Sequence, residues 1–464
     1  MKTAIQSLVV LIIAAAATWA VMHFRKPFGS APADKLTIHF TCDAMGRLEP
    51  CGCFTGQHGG LTRLRTWLDE NPGEGPSLKV DAGGSIAGGA DYDIIQYRYM
   101  ARAYATLGFA ALNMGGREAT LPAETLIKLS SSSPVPMISA SLVSSETRKG
   151  LMEPWRVVDC GGLKVGVLGV VSPRSVPEPG EGIAVLGLNE AIDRHLPELA
   201  KKTELIVLTA FADEAEMRRI ARDYFEFSVI VGGDVPGPTQ EILRENESMI
   251  VFTTNQARTV GTIRAAVTGE ERRKLSDAKY NIELLWDTIP QHEELLAMVR
   301  EYRSEVRKTP LAIDDPNVVD PNAIPGVAMN ATFVGSAACK DCHLKDYEIW
   351  EKSGHAHAFE TLVKKGSDAD PHCVSCHTIG FGKPGGYRRP MGSTSLTDVG
   401  CESCHGPGSE HVAKYREGKP SNFRFRPLGP GDCMTCHYGE FSRPFEWDKF
   451  WPDVAHGKNV PVGK

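Results

Sequence analysis

The sequence predicts two folding units of different class: a layered α/β domain over residues 35 to 287 and a mainly α segment over 331 to 464. Three observations carry this. In the first unit, short Val- and Ile-rich runs alternate with stretches of helical spacing, the pattern of strands and helices in layers. A run rich in Pro, Asp and Asn separates the two units. The second unit has few long apolar runs but carries four copies of one pentapeptide, so something other than an apolar core organises it.

The chain has 464 residues, room for two or three domains. Its net charge is −6 and it has no long basic run, so nucleic acid is not an expected partner. It opens with Met1-Lys2, then an apolar run from Leu8 to Val21 broken by Thr18, then Arg25 and Lys26. That run is short for a bilayer span and normal for a signal-peptide core. Ala14 to Ala17 and Ala20 favour cleavage; the charges beyond them and the lack of a clear A-x-A site favour an uncleaved anchor. Residues 1–30 are therefore expected to be a signal peptide or a membrane anchor. Either one exports the rest of the chain to the periplasm or another extracytoplasmic space.

Strands are expected at Leu36–Thr41, Leu78–Asp81, Phe109–Met114, Val135–Ser139, Lys164–Val170, Leu205–Thr209, Phe227–Val231, Met249–Thr253, Thr262–Val267 and Ile282–Trp286. Glu214–Phe225 has helical spacing. The unit is long enough to bury its own core. Residues 288–330 read as a helix and a linker. The helix, Gln291 to Arg307, places Leu295, Val299, Tyr302 and Val306 on one side. From Thr309 to Asn330 there are four prolines. Such a linker leaves open whether the two units touch.

The repeated pentapeptides are Cys339-Lys340-Asp341-Cys342-His343, Cys373-Val374-Ser375-Cys376-His377, Cys401-Glu402-Ser403-Cys404-His405 and Cys433-Met434-Thr435-Cys436-His437. C-x-x-C-H is the attachment sequence of c-type haem. Two thiols form thioethers with the vinyl groups and the His reaches the iron from one face. A lone C-x-x-C could bind zinc or exchange disulfides. Four copies, each followed by His, point to four covalently bound haem c groups. The export signal agrees, because this haem is attached on the far side of the membrane.

Each iron has a second axial position. His355, His357, His372, His411 and His456 are the other histidines of the segment, and 9 of the chain's 14 histidines lie in its last 134 residues. That density favours iron ligation over solvated side chains. His355 and His357 are two residues apart, so on a helix they cannot serve the same face of one haem. His372 directly precedes a haem cysteine and is the weakest candidate. Met391 and Met434 are expected to be packing or surface residues.

The stretch from Phe333-Val334-Gly335-Ser336 through Cys339 and His343 to Trp350, Ser353-Gly354-His355 and Ala358-Phe359 resembles the tetrahaem cytochrome c-554 family. So do Cys373 to Gly380, Gly400 to His411, and the ending with Cys433, His437, Phe445 and His456. The resemblance spans 331 to 464. It implies mostly bis-histidine haems, packed in pairs, that carry electrons. By position, His355, His411 and His456 match distal ligands. It also implies that one haem can lack a protein ligand on its far side, and His357 decides that here. Bis-histidine ligation predicts low potentials.

Residues 35 to 270 resemble the metallophosphoesterase domain of the 5′-nucleotidase family, a layered sandwich. The matches are Ile38 to Leu48, Gly59 to Arg63, Val80 to Gly84, Asn113 to Glu118 and Ile230 to Asp234. That family uses two metal ions to activate water against a phosphate. Asp43 keeps a ligand position, but Met45 stands at a ligand His, Gly84 at the bridging Asp, and Gly116-Arg117 at an Asn-His pair. The later histidines are missing around Ala210-Phe211-Ala212 and Gly233-Asp234-Val235. One carboxylate cannot hold a di-metal centre, so hydrolysis is not expected.

Cys42, Cys51, Cys53 and Cys160 lie outside the haem motifs. The first three leave the end of the first strand, where α/β domains place ligands. Their loop resembles the Leu-Glu-Pro-Cys-Gly-Cys loop of a nucleotidase-like group found beside redox proteins. A structural disulfide, redox-active thiols and a soft-metal site are all open, with Cys160 as a candidate odd partner. The leading expectation is an exported electron carrier. Its partners would be redox proteins or membrane quinol-linked donors, with the first domain as a docking module. The alternative is an oxidoreductase acting on a small nitrogen or sulfur compound, at an open haem or at the Cys42/Cys51/Cys53 loop.

Overall fold

The computed structural model describes residues 33–50, 57–254, 256–269, 273–314, 331–389, 394–419, 428–438 and 445–457. The expected N-terminal segment, Cys51, Cys53, Met391 and most of the linker lie outside the described residues.

In the first unit the strands are β1 (Lys35–Thr41), β2 (Ser77–Asp81), β3 (Ala111–Asn113), β4 (Met137–Ile138), β5 (Leu142–Ser144), β6 (Trp155–Cys160) and β7 (Leu163–Val171). They continue with β8 (Ile183–Val185), β9 (Leu205–Phe211), β10 (Phe227–Gly233), β11 (Leu243–Glu245), β12 (Ser248–Phe252), β13 (Thr259–Thr268) and β14 (Lys274–Leu284). The helices are α1 (Leu61–Glu70), α2 (Asp91–Thr106), α3 (Ala123–Ser132), α4 (Leu188–Ala200), α5 (Glu214–Asp223) and α6 (Glu293–Lys308).

Two six-stranded sheets form, in the orders β14-β13-β1-β2-β3-β4 and β11-β12-β10-β9-β7-β6. Their centres are parallel: β1 with β2 in one, β9 with β7 and β10 in the other. Every residue of β9 is buried, as expected for a central strand covered on both faces. The sheets face each other. Asn113 on β3 donates to Val170 O of β7 at 2.9 Å, and to Ala82 O at 2.9 Å. Helices cover the outer faces, giving the layered α/β sandwich expected.

Each expected strand has a counterpart, with shifted ends. Phe109–Met114 shortens to β3, and the last strand starts earlier, at Lys274. The strands not foreseen are β5, β6, β8 and β11. β6 is laced with Arg156 and Asp159 and is mostly half-exposed, so its apolar signal is weak.

The second unit is mainly helical. Its helices are α7 (Leu344–Glu351), α8 (Ala358–Lys365), α9 (Pro371–His377), α10 (Cys401–His405), α11 (Ser409–Arg416), α12 (Pro430–Cys433) and α13 (Trp447–Phe450). Its apolar cluster is small, centred on Leu362, Val374, Ile379, Tyr387 and Leu396.

The two units touch, which the linker left open. On α6, Leu295, Met298, Val299, Tyr302 and Val306 are buried. Other side chains of α6 grip the second unit. Arg303 donates to Lys365 O at 3.1 Å, and Arg307 makes a two-pronged pair with Asp368 at 2.7 and 2.8 Å. Arg389, 5% exposed, reaches back to Val306 O at 3.2 Å.

Candidate functional site

The α/β unit has a cavity of about 460 Å³ at the strand ends, lined by Asp43, Arg117, Ser175, Phe211, Asp234 and Thr254, among others. Asp43 leaves β1 with a left-handed backbone, φ 56°. Its Oδ1 pairs with Arg117 Nη2, and its Oδ2 accepts from Thr254 Oγ1 at 3.1 Å. Arg117 is locked from behind: Nη2 donates to Gly84 O at 2.8 Å and Nε to Ile86 O at 2.9 Å. Glu118, fully buried, fixes the adjoining loops by accepting from the N–H groups of Gly84, Ile86 and Gly115 at 3.1, 2.9 and 3.0 Å.

The guanidinium thus takes up the Asp43 carboxylate that a metal would need. A side chain at position 84 would crowd the groups already there. A Cβ there would lie 3.1 Å from Asp43 Oδ1, 3.2 Å from Arg117 Nη2 and 2.9 Å from the Phe211 ring. Among the described residues, no group of three or more His, Cys, Asp or Glu could hold a metal ion. The residues present do not fit a di-metal centre. The sequence marks Arg117 as a departure, but its service as the replacing cation emerges only from the fold.

Cys42, the one cysteine of its loop among the described residues, is buried. It is 1% exposed, and its thiol donates to Gly83 O at 3.3 Å. Burial pushes the thiol well above its ordinary pKa, with the charges of Asp81, Asp43 and Glu118 adding to it. A reactive thiolate does not fit there. Cys160 is no partner for it. Cys160 ends β6 beside Gly161, whose carbonyl accepts from Ala33 N–H before β1 begins. Cys42 follows the far end of that strand, about 23 Å away along its length.

In the second unit the motif thiols come together in pairs. Cys339 lies within hydrogen-bond reach of Cys401, and Cys376 of Cys436. The motif histidines meet histidines from elsewhere. The ring centres of His343 and His411 are 6.2 Å apart, those of His437 and His355 6.0 Å, and those of His405 and His456 5.8 Å. Two imidazoles on opposite sides of one iron, each nitrogen about 2 Å from it, have ring centres about 6 Å apart. The spacing fits haem iron between each pair. His377 has Nδ1 on Ala358 O at 2.6 Å, and His456 has Nδ1 on Val454 O at 2.7 Å. Such bonds fix the tautomer and leave Nε2 for a metal. His357 is exposed, while its neighbour His355 is not. Met434 is 51% exposed.

Glu402, inside the third motif and 4% exposed, ties the first and third motifs together. It accepts from the N–H groups of Val334 at 3.0 Å, Gly335 at 2.7 Å and Gly408 at 2.7 Å. Ser336 Oγ accepts from Cys401 N–H at 3.1 Å. These supports carry no sequence signal beyond a Glu within the motif.

The family model for cytochrome c554 and c-prime matches residues 338–406. Cytochrome c-554 of Nitrosomonas europaea is 37% identical, over 28% of this chain and 69% of that protein. The first unit matches the 5′-nucleotidase of Vibrio cholerae at 28% identity, over 36% of this chain and 32% of the nucleotidase. The chain therefore spans about a third of that relative's length. Among solved structures, a 5′-nucleotidase precursor from Thermus thermophilus superposes with a TM-score of 0.50 at 25% identity, covering 59% of each chain. The calcineurin-like phosphoesterase YfkN from Bacillus subtilis gives 0.51 at 17% identity, covering 59% of this chain and 98% of that one, a likeness of fold. The chain joins a 5′-nucleotidase-like α/β domain to a segment that carries covalently attached c-type haem, and through that segment it belongs to the cytochrome c554 family.

Proposed function

We propose that this chain is an exported tetrahaem electron carrier whose α/β domain does not hydrolyse phosphate esters and serves as a docking module. The observation that carries the reading is the set of three histidine pairs, each spanning the width of an iron site. In it, His343 and His411, His405 and His456, and His437 and His355 are the axial ligands of three haems. Cys339 and Cys342, Cys401 and Cys404, and Cys433 and Cys436 attach them. The fourth haem hangs on Cys373 and Cys376 with His377 as its near ligand. His355, His411 and His456 each meet the histidine of another motif, and His357 is exposed; in this reading the far side of the remaining haem takes a small ligand. The paired motif thiols support two haem pairs, first with third and second with fourth, close enough to pass electrons. Its partners are redox proteins outside the cytoplasm. Haem quantification of the purified protein gives four haems per chain, and removal of Cys373 and Cys376 gives three. Any other stoichiometry for the full chain defeats the reading.

A second reading has a specific observation behind it. Glu49, which opens the Pro50-Cys51-Gly52-Cys53 run, pairs with Arg303, and Arg303 also holds Lys365 O. Asp370, three residues before Cys373, acts electrostatically on Glu49. Glu49 thus lies near the second haem motif, and in this reading Cys51 and Cys53 exchange electrons with that haem. Haem reduction kinetics unchanged in a Cys51→Ser, Cys53→Ser double variant would end this reading.

A further inference from the structure

The second haem motif is preceded by a histidine that electron carriage alone does not use. His372 lies on α9, next to Cys373. Its Nε2 is 3.1 Å from Oδ1 of Asp93 on α2. Both atoms are shut off from solvent, and beyond this 3.1 Å ion-pair approach no hydrogen bond reaches either one. Asp93 is 7% exposed, and its Oδ2 accepts from Ala90 N–H at 3.0 Å. The Tyr92 ring meets the imidazole edge to face, with centres 5.1 Å apart. Two lone pairs facing each other in a buried contact would be costly. A proton therefore sits on Nε2 in either charge state, and Nδ1 is the nitrogen that gains or loses one.

Charged and titratable groups face this imidazole, whose side chain is 31% exposed, from its own segment and from three neighbouring elements. Asp370, on its own segment, accepts from His372 N–H at 3.0 Å. Helix α2 contributes Asp93, Tyr92 and Asp91. The loop after β1 contributes Arg47, with the Glu49–Arg303 pair beyond it. Helix α6 contributes Tyr302, which is 2% exposed and lies against Asp370. Burial works to lower the His372 pKa, but the bond to Asp93 and the charges of Asp370 and Asp93 outweigh it and Arg47, and the net direction is upward.

We propose that Asp93 and His372 form a proton site coupled to the haem on Cys373 and Cys376, so that reduction of that iron draws a proton onto His372 Nδ1. The inference rests on the haem reading above. One electron from a redox partner takes the iron from ferric to ferrous, and one proton from water takes the imidazole to imidazolium. An added negative charge nearby raises the proton affinity of the imidazole, and by linkage a bound proton raises the potential. Asp93 belongs to the α/β domain, so that domain helps set the chemistry of a haem it does not bind.

The test is a redox titration of the intact holoprotein at a series of pH values, with the haems resolved by EPR. One midpoint of the wild type is expected to fall as pH rises through the range where His372 titrates, above the ordinary 6.5. The other three are expected not to share that window. Asp93→Asn shifts the window to lower pH, and His372→Gln abolishes it. No such dependence in the wild type, or the same profile in both variants, overturns the proposal. The latter result would assign the proton to haem propionates. Haem counting on the same samples separates the two readings, because a wild-type chain lacking the haem at Cys373 overturns both.

Discussion

Replacing Glu402 with Ala should loosen the haem segment. One carboxylate, 4% exposed, accepts three backbone N–H bonds of 2.7 to 3.0 Å, from Val334, Gly335 and Gly408. A hydrogen bond to a charged group contributes about 1.5–3 kcal/mol, and an orphaned buried donor costs about 1–3 kcal/mol. The three share one anion, so they do not add in full. The expected loss is about 3–5 kcal/mol. For a unit of this size, that lowers the midpoint by about 10 °C or more. Thermal unfolding of the holoprotein, followed at the haem Soret band, reads it. Glu402→Gln keeps an acceptor but loses the charge, and should fall between. An Ala variant within about 2 °C of wild type would refute the reasoning.

Two further predictions concern the α/β domain. With manganese or zinc added, phosphate release from a nucleoside monophosphate should stay at the buffer rate, because Arg117 occupies Asp43; strong release would show that the domain hydrolyses phosphate esters after all. Asp81 is raised to about 7 by burial, which outweighs the bonds from Thr41, Gly83 and Tyr104. Its folded value exceeds its unfolded one, so its stabilisation is complete below about 4 and is lost as pH rises through about 7. Urea unfolding followed by tryptophan fluorescence should show stability falling across that window. A rise instead would mean that the donors around Asp81 win.

The parts legible in the sequence were those fixed by local spacing. C-x-x-C-H states its own chemistry, because two thiols and an imidazole must meet one rigid ring. The buried strands announced themselves by continuous apolar runs, as in Leu205 to Phe211. Which distal histidine faces which motif was not legible. His355 meets His437, 82 positions later, through packing that no local pattern encodes. The same holds for the contacts between the units. Arg307 with Asp368, and His372 with Asp93, join residues that look like ordinary surface charges in sequence. His372 is a poor ligand candidate by position, and the structure gives it a different partner. The cation filling the degenerate metal site also needed the fold, since Arg117 reaches Asp43 only when the loops after β1 and β3 converge.

Low-temperature EPR of the oxidised holoprotein, with and without nitric oxide, tests the central claim most directly. Three closed bis-histidine haems and one accessible iron predict low-spin signals from three haems and a high-spin signal from about one haem in four, lost on adding nitric oxide. Only low-spin signals, unchanged by nitric oxide, would contradict the account: all four irons would be closed, with His357 the remaining candidate for the fourth distal ligand.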